Sequence, residues 1–482
     1  MKTLKNSLLV VFVLVAGLVN SQKKNKLKTA VLAETEALLP VTNDISIKLW
    51  EYSETALKEH KSAAYLIDLL KKEGFEIKEN IAGMPTAFTA TYGSGSPKLG
   101  ILAEYDALPG TGNQPVPRRS PREDGVTNGQ GCGHNLFGSA SVTAAIALRR
   151  TMEKQNIQGT LVLYGTPAEE TVVGKVYMAR EGVFDGLDAV IEWHPGTETG
   201  SSYTSTLAMN NFEVEFFGQA AHGAMDPWNG RSALDAVEMM NFGVNLMREH
   251  VHPTTRIHYV IPNAGEAPNV VPEYAKVWYY VRDTSRADVE MYYDRILKIA
   301  EGAAMGTNTT HKVRLLTGVH QYNLNGPLML AMQKNIELIG PPSYTAEEQS
   351  WAKELQAYTE KEAKGFSETV REIPSNWRSL SPSGGSTDVA EVSFITPTAG
   401  FSVATAPLGV PWHSWATSAS HGTAAGRKGA AIAAKVLAAT GIDILTNADL
   451  REEAKKEFLR KTGGRPYQSP LPEGQQVVLP GG

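Results

Sequence analysis

The single cysteine of the chain, Cys132, stands two residues before a histidine in Gly131-Cys132-Gly133-His134-Asn135. A thiolate and an imidazole at i and i+2 on a tight glycine loop can face one point, and the nearest chemical use of that pair is a divalent metal. A small buried thiol beside a turn competes with this reading for the pentapeptide alone, because cysteine packs well in cores. Further groups of the same chemistry follow: the adjacent carboxylates Glu169 and Glu170, His194 in Glu192-Trp193-His194-Pro195, and His413 in Pro411-Trp412-His413-Ser414. Each alone has a bland reading: a solvated helix start for the glutamates, a strand cap for His194, a core residue for His413. Six such residues at the ends of apolar runs or in Gly/Pro loops argue instead for one site. Metal hydrolases need several anionic or imidazole ligands, plus one carboxylate left off the metal to take a proton from the attacking water. Two adjacent glutamates supply that division of labour. A thiolate can bridge two ions because metal binding deprotonates it and sulfur has lone pairs for both.

Positioning these groups falls to alternating elements. Apolar residues at helical spacing cover 27–39, 45–51 and 56–73, with Gly74 as the stop. Strand-like runs follow at 75–77, 86–92 and 99–105, the last ending in Glu104-Tyr105-Asp106. A helix over 136–152 leads to a strand at 160–164 that runs out into Glu169-Glu170, and a helix over 173–180 leads to a strand at 187–191 that ends beside His194. This alternation predicts an α/β fold, a mostly parallel sheet flanked by helices. Ligands of such sheets bind at the carboxyl ends of the strands, where the candidate residues recur. From about Ser205 the order becomes strand, helix, two strands, helix and strand, the split unit of ferredoxin-like domains. The predicted organisation is a signal peptide over 1–21, a first part of the catalytic domain over 22–204, an inserted domain over 205–320 and a second catalytic part with a tail over 321–482. A short buried strand is expected at 394–396 and a long Ala-rich helix at 422–439.

At 482 residues the chain is long for one core. Its net charge of -5, without a basic stripe, excludes nucleic acid as the expected partner. The basic start at Met1–Lys5, the short apolar run to Val19 and the small residue Ser21 predict a secretory signal cleaved after Ser21. The mature chain is therefore expected to be secreted, periplasmic and free of the membrane, and one cysteine can form no internal disulfide.

The motifs carry a resemblance. AEYDALPG from Ala103, GCGHNLFG from Gly131, GTPAEE from Gly165, EWHPG from Glu192, GQAAHGAMDPWNGRSALDA from Gly218, APNVVPEYA from Ala267, GSTDVAEVSF from Gly385 and PWHSW from Pro411 resemble, in family order, the amidohydrolase branch of the M20 metallopeptidases. The resemblance implies a zinc-aminopeptidase-like catalytic domain with an inserted lid and dimerisation domain, and a homodimer formed through that insert. It implies two divalent metal ions, Zn or Mn, with Cys132 bridging them and His134, Glu170, His194 and His413 as the other ligands. Glu169 would be the general base, and Asp106 would support a ligand histidine. His222 would reach a second subunit's site as an oxyanion donor, and Asn269 would touch substrate. Glu104 takes the place of a ligand histidine found in peptidase relatives and is left out of the ligand set. Gln130 and Asn135 depart from the wider pattern without removing a ligand. The implied activity is hydrolysis of the amide of small N-acyl or N-aroyl amino acids, a C–N bond other than an ordinary peptide bond. The alternatives are a dipeptidase or aminoacylase of the same fold, and a non-catalytic partner subunit of a hetero-oligomer.

Overall fold

The computed structural model describes residues 26–480 apart from residue 383. The expected signal segment therefore lies outside the described residues. In chain order the strands are β1 (Glu76–Glu79), β2 (Phe88–Ser94), β3 (Lys98–Ala103), β4 (Gly159–Gly165), β5 (Ala189–Ile191), β6 (His194–Gly196), β7 (Gly200–Ser201), β8 (Ala208–Phe217), β9 (Arg256–Asn263), β10 (Tyr274–Asp283), β11 (Thr310–Val319), β12 (Thr398–Ala399) and β13 (Phe401–Ala404). Four helices matter most here: α1 (His134–Gln155), α2 (Ala233–Met247), α3 (Arg286–Thr307) and α4 (Ala424–Thr446).

The main sheet has the order β1-β2-β4-β3-β5-β12. Its β4-β3-β5-β12 side is parallel, while β2 runs antiparallel to both β1 and β4. The mostly parallel expectation thus holds for four strands and fails at one edge. The short connection from β1 to β2 is the reason, since it can close only an antiparallel pair and a parallel one needs a long crossover. Every residue of β4 is buried, as a strand covered on both faces requires. The Ala-rich helices α1 and α4 pack on each other and on β3, small side chains allowing the close approach. α4 is long and apolar enough to cross a membrane, yet most of it is buried inside the body as a core helix.

The second sheet has the order β11-β8-β10-β9, all antiparallel, and packs against α2 and α3. It has its own apolar core, including Phe212, Val237, Met240, Tyr279 and Ile296. Along β10 every second residue is buried, the period of a strand with one face on a core. Ser232 and Ser285 cap the two helices by accepting from the backbone N–H of Asp235 and Asp288.

Two local expectations change. The helix expected from residue 56 begins at His60, because Leu57 takes a left-handed backbone (φ 59°) and the Glu54 carboxylate instead caps the backbone N–H groups of Lys61 and Ser62. The strand expected at 394–396 is not formed: Val389–Ser393 is a short helix and the chain becomes extended only at β12 and β13. A short apolar run does not distinguish strand from buried helix by its pattern. β13 pairs in parallel with β6, Ser402 opposite His194, and so fixes the backbone of that histidine.

Candidate metal centre

The carboxyl ends of β3, β4 and β5 deliver Glu104 and Asp106, Glu169 and Glu170, and Glu192 and His194 to one place. The loop before α1 adds Cys132 and His134. That loop needs glycine at 133, where φ is 84° and a Cβ would come within 2.8 Å of the His421 ring. The buried His421 donates from Nδ1 to the Gln130 carbonyl at 2.7 Å, and burial holds it down at about 3, so it supports the loop as a neutral ring. The turn before the paired glutamates puts Ala168 at φ 59°, and His413 itself lies at φ 55°. Left-handed non-glycine residues of this kind are held only where the surroundings over-determine them, and they gather at functional sites.

Cys132 belongs to two ligand trios. With His134 and His194 it forms one group, and with Glu170 and His413 another; within each, the ligand atoms lie within 4.8 Å of one another. Cys132 Sγ is 3.4 Å from His194 Nε2, and His413 Nε2 is 3.5 Å from Glu170 Oε2. Both inner histidines use Nδ1 elsewhere: His134 donates to Asp106 Oδ1 at 2.8 Å and His194 to its neighbour's carbonyl, Pro195 O, at 2.7 Å. The Nε2 atoms are thereby left facing the site. Asp106 has a second task, accepting the Glu170 backbone N–H at 2.9 Å. Glu169 stays outside both trios, with Oε2 at 3.9 Å from His134 Nε2.

The electrostatics are those of a site that wants cations. Burial, then the charge of Glu170, pushes the Cys132 thiol up. Burial raises Glu170 to about 7, and burial with the nearby Glu104 and Asp388 carboxylates raises Glu169 well above its ordinary range. His194 is held down at about 4 by burial and next by His134, so its ring is neutral, the ligating form. Burial would lower His134, but the charges of Cys132 and Asp106 outweigh it and raise that group. His134 Nε2, Glu104 Oε2 and Glu170 Oε1 are buried and make no hydrogen bond among the described residues. Such orphaned atoms are costly unless something binds them, and an N, O and S donor set converging on one point suits a divalent ion.

The site opens into a cavity of about 550 Å³ that Arg282, Tyr322 and Arg371 also line. The Tyr322 hydroxyl and the Nε atoms of both arginines are buried without a hydrogen bond among the described residues. Sequence reasoning missed these, and it also missed Lys175 and Asp388, which form a fully buried ion pair at 2.6 Å. Lys175 reads in the sequence as an ordinary helix lysine; only the fold brings it to an aspartate 213 positions away. Within the single chain, His222 and Asn269 lie together on the exposed second unit, the Gly223 N–H donating to Asn269 O, and neither lines this cavity.

Residues 100–439 match the model of peptidase family M20/M25/M40. The chain is 37% identical over 453 residues to one of the subunits of the p-aminobenzoyl-glutamate hydrolase of Escherichia coli (strain K12), covering 89% of this chain and 94% of that one. It is 29% identical to the Xaa-Arg dipeptidase of Mus musculus, over 86% of this chain and 88% of the other. Two solved structures share the fold: the aminobenzoyl-glutamate utilization protein of Klebsiella pneumoniae (TM-score 0.57, 17% identity, 85% of this chain and 97% of that chain) and a dinuclear metal-binding peptidase of the M20 family from Bacillus subtilis (TM-score 0.55, 17% identity, 83% and 99%).

Proposed function

The chain belongs to peptidase family M20/M25/M40, and from that premise we propose that it is a two-metal amidohydrolase that cleaves the amide between an acyl or aroyl group and an amino acid. The observation that carries this reading is the sharing of Cys132 between two ligand trios while Glu169 stands outside both, beside His134. Cys132, His134 and His194 would hold one ion, and Cys132, Glu170 and His413 the other, each Zn or Mn. When bound, the ions supply Lewis acidity that polarises the scissile carbonyl and lowers the pKa of water. Glu169 takes the proton from the attacking water on its carboxylate and returns it to the departing amine. Asp106 keeps His134 in the tautomer that offers Nε2.

The unit over 205–320 is read as an inserted ferredoxin-like lid that also pairs two copies of the chain. His222 accepts at Nδ1 from the backbone N–H groups of Ala224 and Met225, both at 3.2 Å, so its proton sits on Nε2. That exposed N–H fits a donor to the oxyanion in a second copy's site, with Asn269 beside it as a substrate contact. The N-terminal segment marks the chain for secretion to the periplasm.

The test is metal content together with hydrolysis of p-aminobenzoyl-glutamate, a panel of N-acyl amino acids and dipeptides, for the mature chain and for Glu169→Gln. Two equivalents of metal in both proteins, with turnover reduced by about 10²–10⁴ in the variant, is the expected result. Preferred turnover of dipeptides would reassign the chain to the dipeptidase reading. Metal bound with no amide hydrolysed would point to a partner subunit in place of an enzyme.

A further inference from the structure

We propose that Glu104 is a further ligand of the ion that His134 holds, and that Lys175 keeps it in that role. The inference rests on the metal reading above and adds a residue that this reading leaves out. Glu104 follows directly on β3 and is buried. Its Oε1 lies 2.7 Å from Lys175 Nζ, and the same ammonium lies 2.6 Å from Asp388 Oδ1. Asp388 also accepts the Lys175 backbone N–H at 2.8 Å. Lys175 is thus already balanced by one carboxylate, and the charge of Glu104 is left over for something else.

The other oxygen shows what that is. Glu104 Oε2 lies 3.2 Å from His134 Nε2, and neither atom makes a hydrogen bond among the described residues. His134 commits Nδ1–H to Asp106, so Nε2 is the ring atom left facing Glu104. Leaving two buried polar atoms this close without a partner costs free energy. A proton on Nε2 does not resolve the contact, because the two groups are not aligned as donor and acceptor although they are near enough. A cation beside both atoms does. With ligand–metal distances of about 2.0–2.2 Å, two donors 3.2 Å apart meet one ion at roughly a right angle, an ordinary coordination angle. Glu104, His134 and Glu169 converge as a third ligand group. Glu169 is farther from Nε2, at 3.9 Å, and keeps an open side toward the cavity, which suits a base. A simple structural partner of Lys175 would have no reason to aim its second oxygen at a ring nitrogen to which it makes no hydrogen bond.

The experiment is a crystal structure of the full chain reconstituted with Zn(II), with anomalous scattering recorded at the zinc edge, alongside titration of metal into the wild type, Glu104→Gln and Lys175→Met. One ion within about 2.3 Å of Glu104 Oε2 is expected. The glutamine variant should lose about 10–100-fold in affinity for one of the two ions, and Lys175→Met, which leaves the carboxylate but frees it, should lose less. Two ions bound with Glu104 more than about 3 Å from both overturns this proposal and leaves the two-metal reading intact. No ion bound after reconstitution overturns both. The wild-type structure decides even where a variant fails to fold.

Discussion

Asp106 does two jobs with one carboxylate, orienting the His134 ring through Oδ1 and holding the Glu170 backbone through Oδ2. Asp106→Asn keeps the shape but can accept at only one of the two places. Metal affinity should fall about 10–100-fold with the fold retained, measured by competition against a chelating dye. Affinity equal to the wild type would remove Asp106 from the site's support. Residue types and spacing made Cys132, His134, the glutamate pair, His194 and His413 legible as candidates, because metal ligation demands a short list of side chains. Glu104 reads in the sequence as an acidic strand end outside the ligand set, and Lys175 as an ordinary helix lysine. Their importance lies in which oxygen faces which atom, and a carboxylate or a lysine has the same letter wherever it points.

Elements place these residues through their ends. The turn after β4 is strained at Ala168, and Glu59, at the start of the helix His60–Lys72, steadies it by accepting the Ala168 N–H at 2.9 Å and the Thr86 hydroxyl at 2.9 Å. Burial, and then the charge of Asp106, raises the Glu59 carboxyl to about 8, against about 4.3 for an exposed glutamate. The unfolded chain therefore releases this proton at lower pH than the folded one. The contribution of Glu59 is fully present below pH ~4 and is lost as pH rises toward about 8, at no more than ~1.4 kcal/mol per pH unit. Urea midpoints of the metal-free protein across this range should decline more steeply for the wild type than for Glu59→Gln, which has no proton to release. Equal slopes would mean that Glu59 does not titrate with unfolding. The periodicities that identified most strands and helices are local, whereas a short apolar run such as that leading into Val389–Ser393 fits strand or buried helix until its packing partners are known.

At the scale of the whole molecule, the two largest cores among the described residues sit on one chain, and the C-terminal tail runs between them. Tyr467 donates to Glu391 in the body, Gln475 Nε2 donates to Leu315 O on β11, and Arg180 donates to the Gln475 carbonyl. The site cavity likewise draws on both, with ligands from the body and Arg282 from β10. If His222 serves a second copy's site, inactive Glu169→Gln and inactive His222→Ala chains should complement each other. Mixed dimers would contain one intact site, so an equimolar mixture after subunit exchange should regain up to about a quarter of wild-type turnover. Activity no greater than the sum of the separate variants would place His222 outside catalysis or keep it within its own chain.

The sequence by itself determined the chemistry on offer and the order of the elements, because ligand types, strand exits and helical periodicity are properties of neighbours along the chain. Only the tertiary structure decided that Cys132 serves two trios, that Lys175 meets Asp388 across 213 positions, and that Glu104 turns an unpaired oxygen toward His134. These are matters of direction and distance in a dry interior. There an unpaired lone pair or a buried charge is costly, and the fold alone says which groups must share the cost.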